Sequence, residues 1–91
     1  MQLTNVEAVG IMRRLGAVFV SCRHHYRGRI EVDGRIVALV HCSFGNKAMP
    51  GHVPDLFRKS LHLTRVEFEQ LRRKEIDRQK YIELMRMKGI L

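Results

Sequence analysis

Residues 17–42, AVFVSCRHHYRGRIEVDGRIVALVHC, contain the pattern that decides the fold. Apolar and polar residues alternate through much of this stretch, as they do in strands that bury one face of a sheet. Asp33 and Gly34 favour the two-residue turn of a β-hairpin, in which both positions need positive φ angles. We therefore predict three antiparallel strands, over 17–22, 24–32 and 35–42. The third strand is almost continuously apolar over 36–40, which predicts that it lies at the centre of the sheet.

Signals for helices flank the predicted strands on both sides. Thr4 and Glu7 form a capping box, which predicts a helix over 5–15 that ends before Gly16. After a long loop, Pro54 occupies the first turn of a second, short helix. We expect three apolar side chains of that helix to pack on the sheet, namely Leu56, Phe57 and Leu61.

A second capping box, formed by Thr64 and Glu67, predicts a C-terminal helix that continues to about residue 88. Its last apolar segment, over 81–87, fits either a projecting arm for self-association or partner binding, or a helix docked on the core. The predicted class is α+β: a small antiparallel three-stranded sheet with helices on one face, in the order α-β-β-β-α, plus an extra long C-terminal helix. Two regions follow from this, a domain over 1–68 and a C-terminal helical extension over 69–91.

The composition of the 91-residue chain is strongly basic. Seventeen lysines and arginines stand against nine aspartates and glutamates, which gives a formal net charge of +8. This balance favours a polyanionic partner, with nucleic acid first and an acidic membrane surface or protein next. A solvated basic surface without such a partner is the alternative.

Cysteine usage and hydropathy indicate the compartment. Cys22 and Cys42 fall in predicted strands, so we expect reduced, buried thiols, with a bridge between them as the alternative. Arginines at 13 and 14 interrupt the only apolar run near the N-terminus, and no stretch approaches the ~20 apolar residues of a membrane span. We expect a cytoplasmic protein with no membrane association.

Histidines and cations concentrate in residues 23–29. His24 and His25 are adjacent in a predicted strand, so their side chains point to opposite faces and only one meets a given ligand. A neutral imidazole can take the proton of a ribose 2′-hydroxyl while nearby guanidinium groups stabilise charge on the phosphate. His24 and His25 are therefore the candidate catalytic residues, and a half-buried or surface histidine without a catalytic role is the alternative.

Other residues complete a candidate nucleic-acid-binding set: Arg23, Tyr26, Arg27, Arg29, Arg35, Lys47, Arg58 and Lys59. Contacts of such cations with phosphates supply affinity without sequence specificity. The thiols and imidazoles at 22, 24, 41 and 42 suggest a zinc site, but strand alternation separates His41 from Cys42. We therefore predict no metal and no other cofactor.

Several short motifs occur in one order along the chain: IMRRLGAVFV (11–20), HHYR (24–27), VDGR (32–35), VALVH (37–41) and LFRKSLHLTRVEF (56–68). In these motifs and in the order of its elements, the chain resembles the HicA family of small toxins from toxin–antitoxin systems, over about residues 6–68. That family carries Gly-Ser-His and then an aromatic residue on a strand. His24 corresponds if Cys22 and Arg23 replace Gly-Ser, and His25 corresponds if the gap lies earlier.

The resemblance implies a double-stranded-RNA-binding-like fold and an endoribonuclease that cleaves mRNA without metal through one histidine on the sheet. It also implies an antitoxin protein that covers this histidine. The expected function is thus RNA binding with ribonuclease activity. The alternative is a non-catalytic nucleic-acid-binding module that forms homo-oligomers through its C-terminal helix.

Overall fold

The computed structural model describes residues 1–23 and 25–91, and the side chains of Ser21 and Cys22 lie outside the description. In the described part of the chain, four helices and three strands follow in the order α1 (Asn5–Arg14), β1 (Val18–Cys22), β2 (His25–Val32), β3 (Arg35–Ser43), α2 (Val53–Ser60), α3 (Arg65–Arg72) and α4 (Arg78–Met87). The predicted α+β class with a three-stranded antiparallel sheet is confirmed. None of the described helices is long and apolar enough to cross a membrane.

The strand order is β1-β2-β3, so β2 is the central strand and the prediction that β3 is central is wrong. The apolar run of β3 does not reflect burial on both faces. Ile36 and Leu39 in this run remain 57% and 66% exposed. An apolar run can thus also be an edge strand with one uncovered apolar face.

A tight turn and a β-bulge shape the hairpin of β2 and β3. Asp33 and Gly34 adopt φ angles of 52° and 77°, as the turn prediction requires. The register then shifts, because Glu31 pairs with Ile36 whereas Ile30 pairs with Ala38. Val37 is therefore an extra residue in β3. Since successive strand residues face opposite sides, this insertion moves every later side chain of β3 to the other face.

Helices cover one face of the sheet and leave the other open. On the covered face, Gly28 lies so close to α1 that an added Cβ would overlap the Met12 side chain. Ile30, Val40 and Cys42 are buried on that face. The other side, here called the open face, consists of Val18, Val20, His25, Arg27, Arg29, Glu31, Ile36, Leu39, His41 and Ser43. The sheet therefore has a core side and a side available to a ligand.

The predicted long C-terminal helix is wrong, because the chain breaks between α3 and α4. Lys74 adopts a left-handed conformation with φ of 65°. Asp77 then starts α4 by accepting a hydrogen bond from the Lys80 amide at 2.8 Å. The break turns Ile76 into the core, where it is 3% exposed. The two capping boxes at Thr4 and Thr64 are confirmed.

α4 docks on the core. Tyr81 and Met85 are fully buried in the same apolar cluster as residues of α1 and the sheet. The Tyr81 hydroxyl donates to the Leu61 carbonyl oxygen at 2.9 Å. The Arg78 guanidinium donates to the carbonyl oxygens of Leu15 at 2.6 Å and Glu31 at 2.8 Å. Of the two roles considered for the 81–87 segment, the structure shows docking.

α2 packs on the core with only part of its predicted apolar set. Phe57 and Leu61 are buried, as expected, but Leu56 is 50% exposed. Neighbouring residues lie about 100° apart around the helix axis, and in α2 Phe57 takes the position that faces the core whereas Leu56 points away from it. The prediction for Leu56 is therefore wrong.

Candidate nucleic-acid interface

Strand alternation places three predicted site residues together on the open face. His25, Arg27 and Arg29 alternate along the central strand with the inward-facing Tyr26 and Gly28. Arg27 and Arg29 are exposed, and His25 is half-buried. A guanidinium retains its charge at any physiological pH, so this strand presents permanent positive charge beside an imidazole.

His41 joins this group from β3. It is paired directly with Arg27 across the ladder, and its ring centroid lies 6.4 Å from that of His25. The bulge at Val37 causes this arrangement. Without the extra residue, the two-residue turn would pair His41 with Tyr26 on the covered face and Cys42 with His25 on the open face. From the sequence, His41 was predicted only as a possible metal ligand and not as a companion of His25.

A sequence signal for His41 was present in the second half of β3. Val40 and Cys42 are buried, whereas His41 and Ser43 are exposed. This apolar–polar alternation indicates which way His41 points once the strand is considered apart from its first half. Cys42 is a buried free thiol, as predicted, and burial raises its pKa above the ordinary value. Its position on the covered face separates it from His41.

An ion pair and apolar side chains surround the cations of the open face. Arg29 Nε lies 2.5 Å from Glu31 Oε1, and both side chains remain partly exposed, at 44% and 38%. Val18 and Leu39 flank Arg29 on the neighbouring strands, and Val20 lies beside Arg27. Two shallow depressions of about 290 and 210 Å³ lie among these residues. Arg27 lines both depressions, so it is the cation most central to the face.

Tyr26 lies on the other side of the sheet from the arginines. Its ring makes edge contacts with Phe19, at 5.8 Å between centroids, and with Phe44, at 4.6 Å. It lines a groove of about 560 Å³ beside α1, together with Arg13 and Asn46. Tyr26 therefore does not share a surface with His25, Arg27 and Arg29.

Arg58 has a structural role. Its side chain is only 11% exposed, and it donates to the Leu63 carbonyl oxygen at 2.8 Å. Asp55 lies 3.5 Å from its Nε. These contacts hold the connection from α2 to α3, so Arg58 is not placed to bind a phosphate. Lys59 is exposed on α2 and lies outside the sheet.

The remaining predicted cations lie at the periphery. Arg23 is exposed in the connection from β1 to β2, and Arg35 is exposed at the hairpin end, opposite the buried Val32. Lys47 is exposed in the loop after β3. The backbone amide and the side-chain amide of Asn5 both donate to the Lys47 carbonyl oxygen at 3.0 Å and hold the loop there. His24 lies outside the described residues.

The described geometry thus brings four residues together on the open face: His25, Arg27, Arg29 and His41. Two imidazoles and two guanidinium groups form a set that can bind a phosphate and move protons. No family model, curated protein or solved structure matches the chain.

Proposed function

We propose that the open face binds RNA and that the protein is a metal-independent ribonuclease, resembling HicA toxins, with a sheet histidine as the general base. The observation that carries this proposal is the position of His25 and Arg27 on one face of the central strand. His25 is the base among the described residues, and His24 is the other candidate. The described open face offers imidazole and guanidinium groups, which suit acid–base chemistry on a phosphodiester.

RNA binding on this face depends mainly on Arg27 and Arg29. Each guanidinium can form two parallel hydrogen bonds to a phosphate. Arg29 is shared with Glu31, so its net attraction for a phosphate is weaker than that of Arg27. The exposed side chains of Val18, Val20 and Leu39 offer apolar contact to sugars and bases. This arrangement supports binding of a flexible single strand, with affinity from the backbone.

Cleavage of a phosphodiester by His25 and Arg27 requires a ribose in the substrate. The 2′-hydroxyl is the nucleophile, so no metal-bound water is needed. A neutral imidazole at His25 takes its proton, and the Arg27 guanidinium stabilises the charge that develops on the phosphate oxygens. An antitoxin that covers this face would block both groups at once, which is the form of inhibition that the resemblance implies.

The alternative function is non-catalytic binding of nucleic acid. The observation that favours it is the exposed apolar surface beside the arginines, which offers contact to unpaired bases. The imidazole rings on the same face can stack on such bases instead of moving protons. Oligomerisation through α4 would involve Met87, which is 83% exposed, because Tyr81 and Met85 are buried. Binding without turnover would support this alternative.

The test is cleavage of fluorescent single-stranded RNA in EDTA. We expect cleavage by the wild-type protein and loss of activity in His25→Ala or in His24→Ala, whichever is the base. Arg27→Ala should weaken both binding and cleavage. His52→Ala is the matched control, because His52 is exposed in the loop before α2. An RNA with a 2′-deoxy sugar at the cleaved position should resist cleavage. Absence of cleavage by the wild type, or full activity after both histidine changes, would contradict the ribonuclease proposal.

A further inference from the structure

His25 and His41 form a pair of imidazoles on adjacent strands. Their ring centroids are 6.4 Å apart and their planes are inclined by 60°. A proton-transferring group must approach its oxygen to about 2.6–3.2 Å. The two rings lie close together on the open face, so each can contact a different oxygen of one phosphodiester linkage bound there.

Arg27 is a neighbour of both histidines on the open face. It is paired with His41 across the ladder and is two residues from His25 along β2. All three side chains share the open face, so a phosphate between the imidazoles would lie beside the guanidinium. The other charged residues of the described open face are Arg29 and Glu31, which pair with each other further along β2.

We propose that His41 is a second catalytic residue, which donates a proton to the departing 5′-oxygen while His25 acts as base. This inference rests on the proposed ribonuclease function and goes beyond it, because a single-histidine mechanism leaves the departing oxygen without a protein donor. Arg27 cannot fill that role, since a guanidinium does not give up its proton in proteins. Glu31 is held in an ion pair with Arg29 and lies further along β2 than the two histidines.

In the proposed step, one proton moves onto His25 and one leaves His41, so atoms and charge balance. Neutral His25 takes the proton of the 2′-hydroxyl, and the 2′-oxygen forms a bond to phosphorus. The bond from phosphorus to the 5′-oxygen breaks, and protonated His41 gives its proton to that oxygen. The products are a 2′,3′-cyclic phosphate and a 5′-hydroxyl end. Arg27 stabilises the negative charge on the non-bridging oxygens during the exchange.

A substrate with a better leaving group distinguishes a proton donor from a structural residue. An RNA oligonucleotide with sulfur in place of the bridging 5′-oxygen leaves as a thiolate and needs no proton. We expect His41→Ala to lose about 10²-fold or more in cleavage of ordinary RNA and to recover most of that loss on the sulfur substrate. His25→Ala should be impaired on both substrates.

Several outcomes would overturn the inference. One is a wild-type cleavage rate for His41→Ala on ordinary RNA, and another is an equal defect of His41→Ala on both substrates. The third is that the sulfur substrate restores cleavage by His25→Ala but not by His41→Ala. In each case, wild-type cleavage in EDTA that His25→Ala abolishes would leave the ribonuclease proposal standing. Absence of wild-type cleavage would remove both proposals. Circular dichroism and thermal melting of each variant, with His52→Ala alongside, show whether the fold is retained.

Discussion

Replacement of Arg78 should weaken the attachment of α4 to the rest of the fold. The Arg78 guanidinium joins three elements, because it extends from the first turn of α4 to the carbonyl oxygens of Leu15, after α1, and Glu31, in β2. Gly16 leaves the space for this side chain, since an added Cβ there would lie 2.9 Å from Arg78 Nη1. Both acceptors lose their partner when the side chain is truncated to alanine.

The expected cost follows from the two charged hydrogen bonds. A hydrogen bond to a charged group contributes about 1.5–3 kcal/mol net. Arg78 is half-buried, which weakens each bond through solvent screening. We therefore expect Arg78→Ala to lower the free energy of unfolding by about 2–4 kcal/mol. Arg78→Lys should lose about half as much, because an ammonium is a single point donor and cannot bridge both oxygens as the planar fork does.

Urea denaturation followed by circular dichroism measures this effect. Gln79→Ala is the matched control, because Gln79 is the exposed next residue of the same helix. A change in Arg78→Ala of less than about 0.5 kcal/mol, the usual range for surface substitutions, would refute the reasoning. Equal losses in the lysine and alanine variants would show that bridging geometry is irrelevant.

Four further predictions concern charge and protonation. Arg27→Ala should reduce the slope of log affinity for single-stranded RNA against log salt concentration by about 0.7. Glu31→Gln should raise the affinity for the same RNA, because it releases Arg29 from its ion pair. Filter binding at several salt concentrations measures both effects. Burial raises the pKa of the Cys42 thiol, so the contribution of Cys42 to stability should decline as the pH rises above the ordinary thiol range. Alkylation of the Cys42 thiol at pH 8, followed by peptide mass spectrometry, should be slow in the native protein and fast in urea. Burial opposes ionisation of Glu67, but the Lys88 ammonium at 2.6 Å and the Thr64 amide at 2.8 Å hold its pKa below the ordinary value. Stability should therefore fall as pH drops through that lowered pKa, and Glu67→Gln should cost about 1 kcal/mol at pH 7 in urea titrations and flatten the acid limb.

Local signals predicted much of the fold because their physical causes are local. Asp33 and Gly34 favour their turn whatever surrounds them, and Thr4 and Thr64 each cap a helix through residues three positions away. The pairing of β1 with β2 and of β2 with β3 follows from short connections between consecutive strands.

Features set by tertiary packing escaped prediction. The bulge at Val37 has no marker residue such as glycine, and it lets Val40 and Cys42 reach the core while Ile36 pairs with Glu31. The break at Lys74 lies in a charged stretch without proline or glycine, and burial of Ile76 accompanies its left-handed backbone. His25 and Arg27 were predicted, together with His24, from the concentration of histidines and arginines over 23–29, whereas the position of His41 depends on the bulge.

The role of basic side chains as partners of backbone carbonyls affects how the charge of this protein should be studied. Arg14 donates to Leu71 and Lys88 donates to His62, in the same manner as Arg58 and Arg78. A scan that neutralises every cation would therefore mix two kinds of variant: those that unfold and those that lose a ligand contact. Melting temperatures measured beside each RNA affinity separate these two kinds of variant. Only substitutions of cations on the open face should alter the RNA affinity at constant melting temperature.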